Sequence, residues 1–279
     1  MNVLLLGGTG FVGRHLAAAL RARGDEVAIA SLREPTAAAA IAAAFDAIVN
    51  LAGETLAQRW NAEVKRCIEA SRVELPRRFL DALAQRERRS SIYVSASAIG
   101  YYGTSETETF VEESPPGSDF LARVCVGWER EARRADELGM RVALVRSGVA
   151  LGTDGGALQK MLPPFRAGVG GRVGTGRQWL SWVHVDDLAQ IYLMALDRGE
   201  GPINACAPNP VTNAVLTQEL GSALHRPTAM PVPTIALRML LGEGAQMLLT
   251  GQRVLPRRAQ ELGYRFEFSE LRTALASLL

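Results

Sequence analysis

The sequence predicts an α/β fold: a doubly wound, mostly parallel sheet with a smaller C-terminal lobe. Three observations predict it. Short apolar runs alternate with amphipathic stretches from the first residues to about residue 206. A glycine-rich turn follows the first apolar run directly. After Ser147 the texture changes to glycine-rich loops and short helical pieces.

The first thirty-odd residues organise the rest. Asn2–Leu6 (NVLLL) is too short for a membrane span and apolar throughout, as in a strand covered on both faces. Gly7-Gly8-Thr9-Gly10-Phe11-Val12-Gly13 follows at once, and Phe11, Val12, Leu16, Ala19 and Leu20 then fall on one helical face. Gly24 stops that helix, and Glu26–Ser31 (EVAIAS) is the next strand. Strand, glycine turn, helix and strand within about thirty residues make a βαβ unit. Glycines at the turn let the backbone approach a pyrophosphate, while the new helix points its free N–H groups and positive dipole end at it. Gly8, Gly10 and Gly13 fit G-x-G-x-x-G; Gly7, Gly10 and Gly13 fit G-x-x-G-x-x-G. The end of the second strand selects the dinucleotide. NAD binders place an acid there on the ribose hydroxyls, whereas NADP binders avoid the acid and offer an arginine. Ser31-Leu32-Arg33 supplies a hydroxyl and a guanidinium for a ribose phosphate, with Glu34 close behind. The expected cofactor is NADP(H), with NAD(H) second.

Thr36–Ala44 is alanine-rich and reads as a short surface helix. Asp46–Leu51 (DAIVNL) is a strand that ends in Ala52-Gly53-Glu54, at the edge of the sheet where ligands bind. Asn61–Arg86 is helical, with a break near Val73–Leu75 imposed by Pro76. Ser91–Val94 is a buried strand leading into Ser95–Gly103. Thr104–Gly117, with Pro115-Pro116, is a polar loop. Asp119–Leu138 reads as a helix and Arg141–Arg146 as a strand. Gly152–Gly156 and Gly168–Gly176 flank Ala157–Arg166. The second glycine run leads into a strand, Trp179–Val185, so it reads as a turn bordering a cleft rather than a phosphate loop. Asp186-Asp187 caps a helix through Leu196. Pro202–Ala205 is the last sheet strand, Asn213–His225 is helical, and Thr234–Leu279 holds several short helices. The division follows: residues 1–150 form the dinucleotide-binding domain, with 177–206 returning to its sheet. Residues 151–176 and 207–279 form a substrate-side lobe across the carboxyl edge.

Composition narrows the function. The chain has 279 residues, 48% of them hydrophobic, enough for a large core. Lysine and arginine number 31 against 29 acids, so charge gives no reason to invoke nucleic acid or an anionic membrane. No run of eighteen apolar residues occurs. Cys67, Cys125 and Cys206 lack metal-ligand spacing, so no metal centre is expected, and free thiols fit a cytoplasmic location. The N-terminal run enters the glycine turn without a basic leader, unlike a signal peptide.

In their order along the chain, GGTGFVG (7–13), NLAG (50–53), SASAIGYYG (95–103) and WVHVDDLA (182–189) resemble the extended short-chain dehydrogenase/reductase superfamily, a group of NAD(P)-binding Rossmann proteins. NLAGE (50–54), RW (59–60), SR (71–72), WE (128–129), VRSGV (145–149), GGALQKMLPPF (155–165), NACAPNPVTN (204–213) and GQRVLP (251–256) make the chain similar to the atypical branch called the epimerase family, with its distinctive C-terminal domain. The resemblance implies that Gly7, Gly10, Phe11, Val12 and Gly13 hold the pyrophosphate and that Ser31 and Arg33 take the ribose phosphate. It places Leu51, Ala52 and Gly53 along the adenosine and ribose, with Arg72 and Arg146 as further NADP contacts. Relatives tend to have Ser and Arg adjacent where this chain inserts Leu32.

Working members of the superfamily pair a Ser or Thr with Tyr-x-x-x-Lys. Ser97 fits the serine. The segment Phe120–Gly127 has no tyrosine and no lysine; aligned on Glu129, Leu121 and Cys125 hold the two places. Tyr102 and Lys160 are the candidate substitutes, Tyr102 (or Tyr101) facing the nicotinamide and Lys160 reaching an anionic substrate. Two readings follow. One is an NADP-dependent oxidoreductase or epimerase-like enzyme acting on an unknown small molecule, and it leads because Ser97 and a substrate-side lobe are retained. The other is a catalytically silent NADP(H)-binding sensor. A homodimer through paired surface helices fits the layout.

Overall fold

The computed structural model describes residues 1–87 and 89–279. The chain runs β1 (Asn2–Leu6), α1 (Phe11–Arg23), β2 (Glu26–Ala30), α2 (Pro35–Ala42), β3 (Ala47–Asn50), α3 (Ala62–Arg72), α4 (Glu74–Ala84), β4 (Ile92–Ala98), β5 (Thr109–Phe110), α5 (Phe120–Glu137) and β6 (Arg141–Ser147). It continues through β7 (Val149–Leu151), α6 (Gly156–Arg166), β8 (Trp179–Leu180), β9 (Trp182–His184), α7 (Val185–Arg198), β10 (Gly201–Ala205), β11 (Val211–Thr212) and α8 (Asn213–Leu224). The last elements are α9 (Thr234–Leu241), α10 (Gln246–Leu249), β12 (Arg253–Val254), α11 (Arg257–Glu261) and α12 (Leu271–Leu278).

Six of the strands form one parallel sheet in the order β10-β6-β4-β3-β1-β2. Val3, Leu4, Leu5 and Leu6 are fully buried, as an apolar run covered on both faces requires. Successive side chains go to opposite faces. Val3 and Leu5 join the core under α1 and α7, and Leu4 and Leu6 join the core under α2, α4 and α5. The expected α/β fold with helices on both faces is therefore present.

Local chemistry explains the helix ends. Gly24 closes α1 at φ +91°. Val73 ends α3 and opens α4, and Pro76 falls in the first turn of α4, where its missing N–H has no partner to lose. Asp119 caps α5 by accepting from the Ala122 N–H at 2.8 Å. Asp119→Ala is expected to cost about 1 kcal/mol in urea denaturation.

Three expectations change. Trp179–Val185 does not return to the large sheet. It splits at Ser181 into β8, which pairs with β11, and β9, which pairs with β7. The Ser181 hydroxyl is engaged sideways, donating to the Gln252 carbonyl and accepting from the Val254 N–H, each at 2.9 Å. Only α7 and β10 of residues 177–206 belong with the six-stranded sheet. Within the loop at 104–117, β5 pairs with β12. His184, not the Asp186-Asp187 pair, caps α7: its Nδ1 accepts from the Asp186 N–H at 3.2 Å. Asp187 is buried and instead accepts from the Tyr264 hydroxyl and from the N–H groups of Glu267 and Phe268, which ties the C-terminal segment to α7. A third core, around Trp182, Leu158, Leu216 and Leu275, holds α6, α8 and α12 together. No helix among the described residues is long and apolar enough to cross a membrane.

Candidate functional site

The chain leaves β1 for β2 on one side and returns to β3 on the other, so the carboxyl end of β1 is the point where the winding reverses. Ligands of open α/β sheets bind at such points. The glycine turn sits there. Gly7 has φ +81°, and a Cβ on it would lie 2.9 Å from the backbone of Ala52. A Cβ on Gly13 would lie 2.6 Å from the Gly7 oxygen and 2.7 Å from the Gly8 Cα. Both positions therefore require glycine for backbone to pack on backbone. Gly10 is the N-cap of α1, with no side-chain cap and no acid in the first turn. Arg14 is the first residue to bond back, from its N–H to the Gly10 oxygen at 3.0 Å. The Gly10 N–H is turned back to the Gly7 oxygen at 3.1 Å, and the N–H groups of Phe11, Val12 and Gly13 remain available to an anion.

The neighbouring strand ends complete the cradle. Leu32 is buried in the α2 side of the core, which leaves Ser31 and Arg33 exposed on either side of it. The Arg33 N–H donates to the Ser31 hydroxyl at 3.2 Å. The inserted leucine thus separates the pair without removing either member from the surface. Leu51 and Ala52 follow β3 beside Gly7. Arg72 reaches the same edge: a Cβ on Gly53 would lie 3.0 Å from its guanidinium. Arg72 donates to the carbonyls of Glu54 (3.0 Å) and Ile68 (3.3 Å) and lies 5.2 Å from the centre of the Trp128 ring. Burial lowers its pKa, and the nearby Cys125 and Glu54 oppose that shift. Arg72 is therefore a half-buried cation beside the turn, not a solvated surface arginine.

Across the turn lies the loop from Gly152 to Gly156. Cβ atoms on Gly152, Gly155 and Gly156 would fall 2.6, 2.5 and 2.7 Å from the Phe11 ring, so these glycines make room for that ring. The Phe11 side chain therefore packs on this loop and only its backbone faces the turn. Val12 packs on the sheet core. The Arg14 guanidinium and the His15 ring hold Asp154 at 3.1 and 3.0 Å. Lys160 does not reach freely into the cleft: its Nζ donates to the Ala57 carbonyl at 2.8 Å and ties α6 to the loop after β3. None of these contacts was foreseen from the sequence.

Three expected site residues belong elsewhere. Ser97, Tyr102 and Arg146 form one buried polar network beneath α5, with Glu129 at its centre. Arg146 is 2% exposed and forms two parallel bonds with Glu129, Nε to Oε1 at 2.7 Å and Nη2 to Oε2 at 2.8 Å. Its Nη1 donates to the Tyr102 hydroxyl (2.9 Å) and the Glu112 carbonyl (3.1 Å), and its plane lies 3.5 Å from the centre of the Tyr101 ring. That pairing leaves no free edge for a phosphate, which corrects Arg146 as a cofactor contact. Ser97 is buried and its hydroxyl donates to Glu129 Oε1 at 2.7 Å, so its proton is already engaged, which corrects Ser97 as the reacting serine. The Tyr102 hydroxyl donates to Asn204 Oδ1 at 2.7 Å, and burial raises its pKa despite Arg146 and Asn204. Tyr102 is a core tyrosine and not a proton donor. The WE motif and an arginine at the end of a buried strand were the available signals for this pairing.

Glu112 borders the same network. Its Oε1 accepts from the N–H groups of Asn204 (2.9 Å) and Arg258 (3.0 Å), and its Oε2 is buried without a partner. Burial raises its pKa above the usual 4.5, against those hydrogen bonds. A carboxyl raised in the folded state stabilises below its unfolded pKa, and that contribution is lost as pH rises through the folded value. Stability of the wild type relative to Glu112→Gln should therefore fall with rising pH above about 4.5, measured as the difference in urea midpoint. A difference that rises with pH would contradict the buried-acid assignment.

The two places of the missing Tyr-x-x-x-Lys are apolar. A Cβ on Gly100 would lie 3.5 Å from Leu121 Cβ and 3.9 Å from Cys125 Sγ. Burial, with the charge of Glu129 adding, pushes the Cys125 thiol up to about 12.

A glycine turn at the switch point of a parallel six-stranded sheet defines a class of dinucleotide-binding protein. Residues 3–206 match the NAD dependent epimerase/dehydratase family, and residues 232–278 match DUF1731, a domain of unknown function. The chain belongs to the NAD dependent epimerase/dehydratase family. It is 43% identical over 303 residues to the epimerase family protein SDR39U1 homolog, chloroplastic, of Arabidopsis thaliana, covering 100% of this chain and 87% of that one. It is 39% identical over 294 residues to epimerase family protein SDR39U1 of Mus musculus, covering 100% of both. A crystal structure of human epimerase family protein SDR39U1 (isoform 2) with NADPH has a TM-score of 0.91 at 37% identity, over 100% of this chain and 99% of that one. The epimerase-family resemblance read from the sequence is borne out.

Proposed function

We propose that the protein is an NADP(H)-dependent oxidoreductase acting on a small carbonyl or alcohol substrate. One observation carries the choice of cofactor: the β2 end offers exposed Ser31 and Arg33 beside an open glycine turn, and no acid stands between them. The NADPH in the human relative's crystal structure supports the same choice. The residues fit the group. The uncapped first turn of α1 would hold the pyrophosphate, with Gly7, Gly10 and Gly13 allowing the approach. Ser31 and Arg33 would hold the ribose phosphate, and Leu51, Ala52 and Gly53 would line the adenosine side with Arg72 beside them. When bound, the reduced nicotinamide supplies a hydride to a carbonyl carbon. Leu121 and Cys125, in the places of the missing Tyr-x-x-x-Lys, supply no acid, so the proton on the product oxygen comes from solvent.

The apolar pair also favours a second reading, a sensor that binds the cofactor without turnover. A panel of aldehydes, ketones and nucleotide sugars, followed by NADPH absorbance, separates the two. Consumption with any of them supports the oxidoreductase. None, with NADPH still bound, supports the sensor.

A further inference from the structure

We propose that the open edge of the large sheet is a self-association surface, at which β2 pairs antiparallel with β2 of a second copy of this chain. In the usual Rossmann order, 3-2-1-4-5-6, a third strand lies outside the second and covers it. Here the chain leaves β2 through the single helix α2 and crosses β1 to enter β3. Among the described residues, β2 is therefore the last strand at this side of the sheet.

The hydrogen bonds of β2 show which of its backbone groups face out. The Glu26 N–H donates to the Met1 oxygen at 3.1 Å, and the Gly7 N–H donates to the Ala30 oxygen at 3.2 Å. Glu26, Ala28 and Ala30 thus face β1, and the alternation of the ladder turns the N–H and C=O groups of Val27 and Ile29 outward. Edges that stay single are commonly protected by a proline, a lysine or a bulge. β2 reads EVAIA and pairs with β1 in unbroken register, so it has none of these. Its one charge, Glu26, stands at the first position, and Ile29 is 42% exposed.

A second copy is the occupant that this edge fits, because β2 is complementary to itself. A two-fold axis through Ala28 sets Val27 opposite Ile29 of the second copy, and Ile29 opposite its Val27. Each such pair exchanges two backbone hydrogen bonds, which satisfies every outward group of both strands. The side chains that meet are valine on isoleucine and alanine on alanine. Glu26 falls opposite Ala30, so no like charges face each other. The same axis brings α2 towards its copy. α2 shares a core with β1 and β2 through Ala38, Ala39 and Ala42. Its exposed residues include Ala37, Ala40 and Ile41, and no charged side chain occurs from Thr36 to Ala44. The sheet edge, and not a pair of surface helices, is then the centre of the dimer.

The test is sedimentation equilibrium of the full chain across a dilution series, with amide hydrogen exchange measured at the highest and lowest concentrations. A dimer of the 30.0 kDa chain is expected. The Val27 and Ile29 amides should be protected at high concentration and exchange freely on dilution. Val27→Pro removes an outward N–H without touching the β1 ladder, and Ile29→Lys sets a charge opposite Val27. Each is expected to raise the dimer dissociation constant about tenfold or more, with circular dichroism unchanged. Exchange in the wild type decides the matter even where a variant fails to fold. A monomer at every concentration would overturn the proposal. So would a dimer whose Val27 and Ile29 amides exchange freely, since its contact lies elsewhere, or a dimer that both folded variants leave intact.

Discussion

Glu129→Ala is expected to lower folding stability by about 3–5 kcal/mol, because it leaves the Arg146 guanidinium charged, buried and unpaired. The ion pair is inaccessible on both sides, with side-chain exposures of 2% and 0%. Removing the acid also strips the acceptor from Ser97 and from Arg133. For a chain of this length the loss corresponds to a fall in melting temperature of roughly 6–20 °C. Replacing the pair together, Glu129→Leu with Arg146→Met, should recover much of the loss, since an apolar pair of similar volume carries no desolvation cost. Thermal and urea unfolding of both variants check this. A single variant within about 0.5 kcal/mol of wild type would show that the network is not holding β4, β6 and α5 together.

Gly13→Ala is expected to weaken NADPH binding about 100-fold, a loss near 2.7 kcal/mol. Alanine is the better helix former, by about 1 kcal/mol over glycine. On propensity alone the substitution would stabilise α1. The opposite outcome is expected because the added methyl would meet backbone that cannot retreat, the Gly7 oxygen at 2.6 Å and the Gly8 Cα at 2.7 Å. The first turn of α1 would have to move away from the end of β1, carrying its N–H groups with it. Circular dichroism should show the fold retained while the fluorescence titration shows affinity lost. Unchanged affinity would mean that the close approach at Gly13 serves packing only.

Much of this architecture was legible because it is written locally. The step from Leu6 through the glycine turn to Leu20 changes period within a few residues, and Pro76 marks its own helix break. The absence of tyrosine and lysine from Phe120–Gly127 was equally plain, and the structure adds that Leu121 and Cys125 close the gap with apolar surface. What failed to show was pairing across distance. Arg146 ends a strand at the sheet's binding edge, and the family resemblance made it a cofactor contact. Its partner Glu129 lies on a separate helix, so only the folded chain reveals that the two satisfy each other. Ser97 was misplaced for the same reason, because alternation on β4 aims it at α5. Phe11 meets Gly152, Gly155 and Gly156 from some 140 residues away. Nothing in the glycine run itself says that an aromatic ring fills it.

The cofactor reading is tested most directly by parallel fluorescence titrations of the protein with NADPH and NADH. Tighter binding of NADPH by about tenfold or more, a difference near 1.4 kcal/mol, is expected, with Ser31→Ala and Arg33→Ala weakening NADPH and leaving NADH unchanged. Equal affinity for the two coenzymes would contradict the placing of the ribose phosphate between Ser31 and Arg33.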